Sequence, residues 1–262
     1  MDKHHLKRAL TIAGSDPCSG AGIQADLRTF WTLGVYGASV ITSVTAQNTI
    51  GVKGVYGLPG RFVALQIDSV LSDTGADAVK TGMLLTPEIV EVVSQKIREY
   101  RVKTLVVDPV ILAHSGYRLL QEEAIGVLKG QLIPLARLVT PNLYEAKTLT
   151  GLERVDDTAR MKQAARVMKE MGAEFVLIKG GHLEGEAIDL LYDGSDFREF
   201  RSERLNVGRT HGTGCVLSAA ITAWLAKGLE VNEAVERAKQ HVTRAIGSAL
   251  SPGRGSKILG VS

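Results

Sequence analysis

The clearest indication of the fold comes from residues 210–226, which read THGTGCVLSAAITAWLA. Two glycines, Gly212 and Gly214, stand at the start of a segment that is apolar nearly throughout. Glycine lets the backbone turn sharply and approach a ligand closely, and a segment that is apolar on every side predicts a buried helix. The unpaired N–H groups of its first turn and the positive end of its dipole predict an anion site, suited to a phosphoryl group.

Cys215 lies in the first turn of this predicted helix. Thiolates are favoured at that position, so the side chain could orient or deprotonate an alcohol. The alternative is that Cys215 is a small buried hydrophobic residue, which is the usual place of a free cysteine. In the same way, the glycines could simply form a loop that precedes a helix.

Outward from this stretch, the chain alternates strand-like and helix-like segments. Apolar runs predict strands at residues 9–13, 35–44, 77–83, 105–107, 138–139 and 175–178, and a hairpin at 187–192 and 197–202. Periodic segments predict helices at residues 23–33, 59–71, 87–100, 156–171 and 232–248. Repeated strand-then-helix units predict an α/β fold with a mostly parallel sheet covered on both faces. Since no linker is evident, we expect one domain over residues 1–262.

Composition excludes several classes of protein. The 262 residues carry a net charge of +3, and basic residues do not cluster, so no nucleic-acid partner is expected. The two cysteines are too few for a disulfide scaffold. No apolar run approaches the roughly 20 residues of a membrane span, and the N-terminus lacks the apolar core of a secretory signal. We therefore expect a cytoplasmic protein without a membrane partner.

Five motifs in order along the chain carry a resemblance to one family. They are AGSDP (13–17), GAGIQAD (20–26), TPNLYEA (140–146), KGGH (179–182) and HGTGC (211–215). Together they resemble the hydroxymethylpyrimidine/phosphomethylpyrimidine kinases of thiamine biosynthesis, within the ribokinase-like superfamily. The resemblance implies a three-layer α/β/α sandwich, a homodimer, and transfer of the γ-phosphoryl group of ATP to 4-amino-5-hydroxymethyl-2-methylpyrimidine and then to its monophosphate.

The same resemblance implies roles for residues that follow predicted strands, where open α/β sheets bind ligands. The segment from Gly212 through Thr213 and Gly214 to Cys215 would be the catalytic anion hole. Asp108 and Glu145 would form the Mg²⁺ environment, since Mg²⁺ prefers carboxylate oxygens, waters and phosphates. The ATP phosphates would be contacted by Lys179, Asn142 and Thr213.

Four residues are predicted to bind the acceptor substrate. Asp26 would hold its hydroxyl group or ring edge, Gly14 would allow its close approach, and Met83 would pack on the ring. Gln47 stands where relatives carry either glutamate or glutamine. Its amide offers a donor beside an acceptor, which complements the amino group and ring nitrogen of an aminopyrimidine, so Gln47 favours the pyrimidine without excluding pyridoxal.

Two further departures from the family pattern are informative. Ser19 replaces a frequent glycine in the turn after the first strand, which we expect to stiffen that turn. Thr210 stands where some pyridoxal-active relatives carry a cysteine. Its presence argues mildly against dedicated pyridoxal chemistry.

Three other functions remain open at this point. The nearest is pyridoxine/pyridoxal kinase activity on the same scaffold. A Rossmann dehydrogenase is disfavoured because the glycines of residues 14–22 do not follow the G-x-G-x-x-G spacing. A non-catalytic ligand sensor is disfavoured because Asp108, Glu145, Lys179 and Cys215 are all present.

Overall fold

A computed structural model describes residues 6–181, 187–205 and 207–260 of the chain. His182, the last residue of the KGGH motif, lies outside the described residues. Across this part of the chain, no helix has both the length and the apolar composition that crossing a membrane requires.

Nine strands form one sheet, and eight of them correspond to strands predicted from the sequence. They are β1 (Arg8–Ser15), β2 (Tyr36–Gln47), β3 (Val52–Gly57), β4 (Ala78–Thr81), β5 (Leu105–Val107), β6 (Leu138–Val139), β7 (Phe175–Gly180), β8 (Ala187–Tyr192) and β9 (Phe197–Ser202). Their order across the sheet is β3-β2-β1-β4-β5-β6-β7-β8-β9. The six strands from β2 to β7 in that order are parallel. Antiparallel strands, β3 at one edge and β8 and β9 at the other, complete the sheet.

Helices cover both faces of the sheet. They are α1 (Gly22–Thr32), α2 (Gly60–Asp73), α3 (Pro87–Glu99), α4 (Glu122–Val127), α5 (Leu143–Thr150), α6 (Thr158–Glu170), α7 (Thr213–Ala226) and α8 (Val231–Gly247). Apolar residues of α2 to α6 pack in one core cluster, while those of α1, α7 and α8 pack on the opposite face. The predicted three-layer α/β/α architecture with a mostly parallel sheet is confirmed.

The strand β5 shows how both faces become buried. Leu105 and Val107 belong to the core under α2 to α6, whereas Val106 between them packs toward α7 and α8. Side chains alternate between the faces of a strand, so a strand covered on both sides is apolar at every position. Asp108 follows β5 directly. It is therefore the first polar side chain after this strand, and it lies at the carboxyl edge of the sheet.

Several elements were not predicted from the sequence. The edge strand β3 was not predicted, because it has two glycines and its apolar residues are half-buried or exposed. A π-helical turn at Leu128–Leu132 and a 3₁₀ turn at Ile133–Leu135 extend α4. Near the C-terminus, β10 (Thr210–His211) pairs in parallel with β11 (Lys257–Ile258), which fixes the segment that leads into α7.

Candidate active site

A cavity of about 860 Å³ lies at the carboxyl ends of the parallel strands, where the fold places ligand sites. Residues from the ends of β1, β2, β4, β5 and β7 line it together with the start of α7. Of the predicted site residues, the cavity brings together Gly14, Gln47, Met83, Asp108, Asn142, Glu145, Lys179, Gly212, Thr213, Gly214 and Cys215.

The start of α7 has the features expected of an anion site. Gly212 precedes the helix with φ of 84°, and among the described residues no side chain caps the helix. Within the helix, the N–H of Val216 is bonded to Gly212 O at 2.9 Å, so the preceding amides of the first turn have no intrahelical acceptor. A Cβ on Gly212 would lie 1.8 Å from Gly20 O, so this position requires glycine. Thr213 Oγ1 lies 3.2 Å from Thr210 Oγ1 at the same turn.

Lys179 is held between two buried carboxylates. Its Nζ donates to Asp108 Oδ1 at 2.8 Å and lies 4.0 Å from Glu145 Oε2. Asp108 also accepts hydrogen bonds from Thr140 Oγ1 at 3.3 Å and Ser218 Oγ at 2.9 Å. Burial lowers the pKa of Lys179, but the two carboxylates outweigh burial and raise it overall. Lys179 therefore carries a fixed positive charge at the carboxyl end of β7.

Glu145 combines a structural role with a chemical one. It forms a reciprocal cap with Asn142, in which Asn142 N donates to Glu145 Oε2 at 2.7 Å and Glu145 N donates to Asn142 Oδ1 at 2.9 Å. Burial raises the pKa of Glu145 to about 7; nearby Lys179 opposes this effect and Asp108 adds to it. The cap aims one carboxylate into the cavity beside a second one, which makes a paired set of hard oxygen donors.

The position of Asp26 corrects one prediction. Asp26 is fully buried beneath the cavity and is not among its lining residues. Its Oδ1 accepts from Lys80 Nζ at 2.7 Å and its Oδ2 from Thr11 Oγ1 at 2.6 Å. Because Asp26 has no exposed surface, of these two residues it is Lys80 that lines the cavity, where a direct substrate contact had been predicted for Asp26.

Cys215 is half-buried at the start of α7 and lines the cavity. Burial raises the pKa of the Cys215 thiol to about 11, although the Lys80 ammonium group works in the opposite direction. At neutral pH the side chain is consequently a neutral thiol. It can position a hydroxyl group, while proton removal by a pre-formed thiolate is disfavoured.

The far end of the cavity contains Gln47, His211 and Asp16. His211 Nε2 lies 3.1 Å from Asp16 Oδ2 and 2.8 Å from the amide nitrogen of Gln47. Burial alone would raise the pKa of Asp16, but hydrogen bonds from His211 and from Ala21 N lower it overall. An ionised Asp16 can only accept, so Nε2 carries a proton, and the Gln47 atom that faces it has to be the amide oxygen. The amide nitrogen then takes the position 3.4 Å from Thr45 Oγ1, which can accept one of its N–H groups, and the other can face the cavity.

Gly14 and Met83 form one wall beside this group. A Cβ on Gly14 would lie 2.9 Å from Met83 Sδ and 2.9 Å from Ser43 Oγ, so the strand end has no room for a side chain. Met83 is 7% exposed and is oriented by Ser43, whose Oγ lies 3.6 Å from its sulfur. The wall therefore offers a flat apolar contact for a ring.

The turn after β1 explains one departure noted in the sequence. Asp16 accepts from the N–H groups of Cys18, Gly20 and Ala21 at 3.0, 3.1 and 2.9 Å. This arrangement winds the turn tightly and leaves Ser19 with φ of 61°, in the left-handed region that favours glycine. The frequent family glycine at this position fits that conformation without strain.

Comparison with known proteins identifies the family. Residues 16–260 match the family described as phosphomethylpyrimidine kinase. The chain belongs to this family. The predicted family, a family of phosphotransferases, is thereby confirmed.

Individual relatives of the chain agree with its assignment to the phosphomethylpyrimidine kinase family. The hydroxymethylpyrimidine/phosphomethylpyrimidine kinase of Bacillus subtilis is 47% identical over 254 residues, which cover 95% of this chain and 93% of the relative. The thiamine biosynthesis bifunctional protein ThiED of Geobacter sulfurreducens is 50% identical over 247 residues, 94% of this chain and 50% of that protein. This chain thus spans about half the length of the bifunctional relatives it matches.

Solved structures of two kinases superimpose closely on this family member. The pyridoxal kinase of Bacillus subtilis in an ADP complex gives a TM-score of 0.91 at 38% identity, with 98% of each chain covered. The phosphomethylpyrimidine kinase of Clostridium difficile 630 gives 0.82 at 46% identity, with 91% of this chain and 99% of that chain covered. The ribokinase-like fold predicted for the phosphomethylpyrimidine kinase family is confirmed.

Sequence reasoning assigned no role to four polar residues of the site. Asp16, Lys80, His211 and Ser218 each bond to a group on another segment of the chain. Lys80 gave a usable signal, because a lysine inside an apolar strand needs a buried partner. The partners themselves were not visible from local sequence.

Proposed function

We propose that this chain transfers the γ-phosphoryl group of ATP to the hydroxymethyl group of 4-amino-5-hydroxymethyl-2-methylpyrimidine, and then to the resulting monophosphate. One observation carries the proposal. A single cavity contains a helix start without a side-chain cap among the described residues, a half-buried Lys179 with two buried carboxylates, and the pair Gln47 and Met83. Phosphoryl transfer depends on positioning and charge neutralisation, and these groups supply both.

The acceptor hydroxyl oxygen forms a bond to the γ-phosphorus as the bond from that phosphorus to the β–γ bridging oxygen breaks, which releases ADP. Lys179 and the backbone amides of the first turn of α7 contact the phosphate oxygens on which charge accumulates. Cys215 positions the hydroxyl group as a neutral thiol. The hydroxyl proton leaves late and passes to an oxygen of the transferred phosphoryl group or to solvent water, because a loose transition state needs little help from a base. The ammonium group of Lys80 places a positive charge near this thiol, which acts to lower the pKa of Cys215.

The residues present fit a magnesium ion by their donor chemistry. Asp108 and Glu145 offer buried carboxylate oxygens, and hard Mg²⁺ binds such oxygens together with phosphates and waters. The raised pKa of Glu145 reflects burial without enough neighbouring positive charge. When bound, the ion neutralises phosphate charge; Asp108 and Glu145 would hold it, and Asn142 orients Glu145.

Gln47 supports an aminopyrimidine as the acceptor. With its oxygen facing His211, the amide can direct one N–H group toward the cavity, where a ring nitrogen can accept. The oxygen keeps a second lone pair for an exocyclic amine. Met83 and Gly14 supply the flat wall against which the ring packs.

The proposed reaction is tested by mass spectrometry of the products formed from ATP, Mg²⁺ and the hydroxymethylpyrimidine. We expect the monophosphate first and the diphosphate later. The Cys215→Ala variant should still bind ATP, measured by calorimetry, but lose roughly 100-fold or more in kcat if the thiol positions the acceptor. Near-normal turnover of this variant would contradict its role, and absence of any phosphorylated pyrimidine would contradict the substrate.

Pyridoxal phosphorylation is the second candidate function. It is favoured by the TM-score of 0.91 with the Bacillus subtilis pyridoxal kinase, against 0.82 with the Clostridium difficile phosphomethylpyrimidine kinase. The ratio of kcat/KM values for the two substrates separates the candidates. A higher value for pyridoxal would replace the pyrimidine as the proposed acceptor.

We also propose a homodimer that packs through the edge strand β3 and its neighbour β2. Large apolar side chains are exposed there, with Tyr56 at 67%, Val44 at 41% and Ile50 in the connecting turn at 69%. An edge strand with such side chains favours association. Tyr56→Glu should give monomers in analytical ultracentrifugation, and Trp31→Glu on α1 should not; unchanged dimers of Tyr56→Glu would contradict this interface.

The cytoplasmic location and the single-domain organisation stay predictions.

A further inference from the structure

Three side chains with different metal-binding atoms meet at the turn after β1. They are Asp16, Cys18 two residues later, and His211 from the segment that leads into α7. One potential ligand atom of each lies within 4.8 Å of those of the other two. The mechanism proposed above gives no role to Cys18.

Two of the three separations are close to those of ligand atoms around a tetrahedral ion. Asp16 Oδ2 lies 3.1 Å from His211 Nε2 and 3.6 Å from Cys18 Sγ, and the third pair lies within 4.8 Å. Metal–ligand bonds of about 2.0 to 2.3 Å at the tetrahedral angle place neighbouring ligand atoms about 3.3 to 3.8 Å apart. Small side-chain rotations therefore suffice to bring all three onto one ion.

The site is also supported and accessible. Backbone N–H groups of Gly20 and Ala21 hold the Asp16 carboxylate in place, as outer hydrogen bonds hold ligands in metal sites. Asp16 is buried, while Cys18 and His211 are half-buried and can be reached by an ion. A water molecule, or the amide oxygen of Gln47 beside His211, can provide a fourth ligand.

We propose that Asp16, Cys18 and His211 form a binding site for a divalent transition metal of the zinc class. Thiolate and imidazole ligands select Zn²⁺, Co²⁺ and similar ions over Mg²⁺. The site is thus chemically distinct from the all-oxygen pair of Asp108 and Glu145. An ion here links the turn after β1 to the segment that enters α7. Binding at Nε2 requires the neutral His211 imidazole to carry its proton on Nδ1 instead, and it releases the proton of the Cys18 thiol to solvent.

The test uses Co²⁺ as a spectroscopic probe on the full chain in excess Mg²⁺. Binding of one Co²⁺ per chain should produce a thiolate-to-cobalt charge-transfer absorption. Cys18→Ala should lose this absorption and bind Co²⁺ at least about tenfold more weakly, because the soft ligand is gone. Cys215→Ala, the matched control that removes the other cysteine, should keep both. The sequence has two consecutive histidines, His4 and His5. The titrations are repeated with both replaced by alanine in each chain, so that Co²⁺ binding by this pair does not contribute.

Several outcomes would overturn the proposal. One is the absence of saturable Co²⁺ binding or of the charge-transfer absorption in the parent chain. Another is an unchanged absorption in Cys18→Ala, or its loss in Cys215→Ala. His211→Asn provides a second variant that leaves both thiols in place. It should weaken Co²⁺ binding by a similar factor, and affinity equal to that of the parent chain would also refute the site. Circular dichroism establishes that each variant is folded.

Discussion

Replacement of Lys80 by methionine should destabilise the protein strongly, because it leaves the Asp26 carboxylate alone in the core. Both side chains are fully buried, and their 2.7 Å contact is the ion pair that makes the burial of each tolerable. Removal of one partner of such a pair costs about 3 to 5 kcal/mol. For a domain stable by about 5 to 15 kcal/mol, that is a large share. Urea denaturation at pH 8 measures the loss.

The loss of stability caused by Lys80→Met should increase as pH rises. Burial raises the pKa of Asp26 and Lys80 lowers it, so the variant has a higher pKa for Asp26 than the parent chain. A carboxyl group whose pKa is higher in the folded state than in the unfolded state stabilises the fold at low pH. This contribution is lost as pH rises from the unfolded-state pKa to the folded-state pKa. Over that range the variant loses about 1.4 kcal/mol per pH unit. The destabilisation should therefore be smaller at pH 5 than at pH 8.

A double variant separates charge from packing. Lys80→Met combined with Asp26→Asn removes the unpaired charge and keeps an acceptor for Thr11 Oγ1, which donates to Asp26 Oδ2 at 2.6 Å. We expect it to recover at least half of the lost stability and to show little pH dependence between pH 5 and 8. The reasoning is refuted if Lys80→Met costs less than about 1 kcal/mol at pH 8, or if its cost is equal at both pH values.

Three further predictions concern backbone geometry and capping. Gly212→Ala should lower kcat/KM by roughly 100-fold or more, because its Cβ would overlap a backbone oxygen and displace the α7 amides; steady-state kinetics measure this. Gly228→Ala, with φ of 89° and open space around its Cβ, is the control for left-handed strain alone and should keep its activity. Ser19→Gly should stabilise the fold by about 0.5 to 1 kcal/mol in urea denaturation, since relief of φ strain exceeds the added chain entropy. Asn142→Ala should cost about 1 kcal/mol and also impair turnover, whereas Asp157→Ala, which removes the N-terminal cap of α6, should cost a similar amount without loss of activity.

Each of these predictions has an outcome that contradicts it. Equal activity of the Gly212 and Gly228 variants would mean that the α7 start tolerates displacement. A destabilised Ser19→Gly variant would show that the serine side chain contributes more than its strained backbone costs. Equal turnover of the Asn142 and Asp157 variants would mean that the orientation of Glu145 by its cap has no part in the reaction.

The sequence by itself determined the layered architecture and most element positions. Strands such as Leu105–Val107 and Leu138–Val139 and the helix Thr213–Ala226 have the bounds expected from their apolar runs. Local patterns suffice there, because a segment buried on all sides is apolar at every position. The edge strand β3 and the turns after α4 lacked such a pattern, since they are partly exposed and held by their neighbours.

Only the tertiary structure decided which polar groups pair inside the site. Lys80 meets Asp26 across 54 residues of sequence, and His211 meets Asp16 across 195. The motifs predicted that Asp26 and Gln47 lie near the substrate. They could not show that Lys80 neutralises the charge of Asp26 and lies directly beside it. Local sequence fixes backbone conformation and burial, whereas the partner of a buried charge depends on how strands distant in sequence are ordered in the sheet.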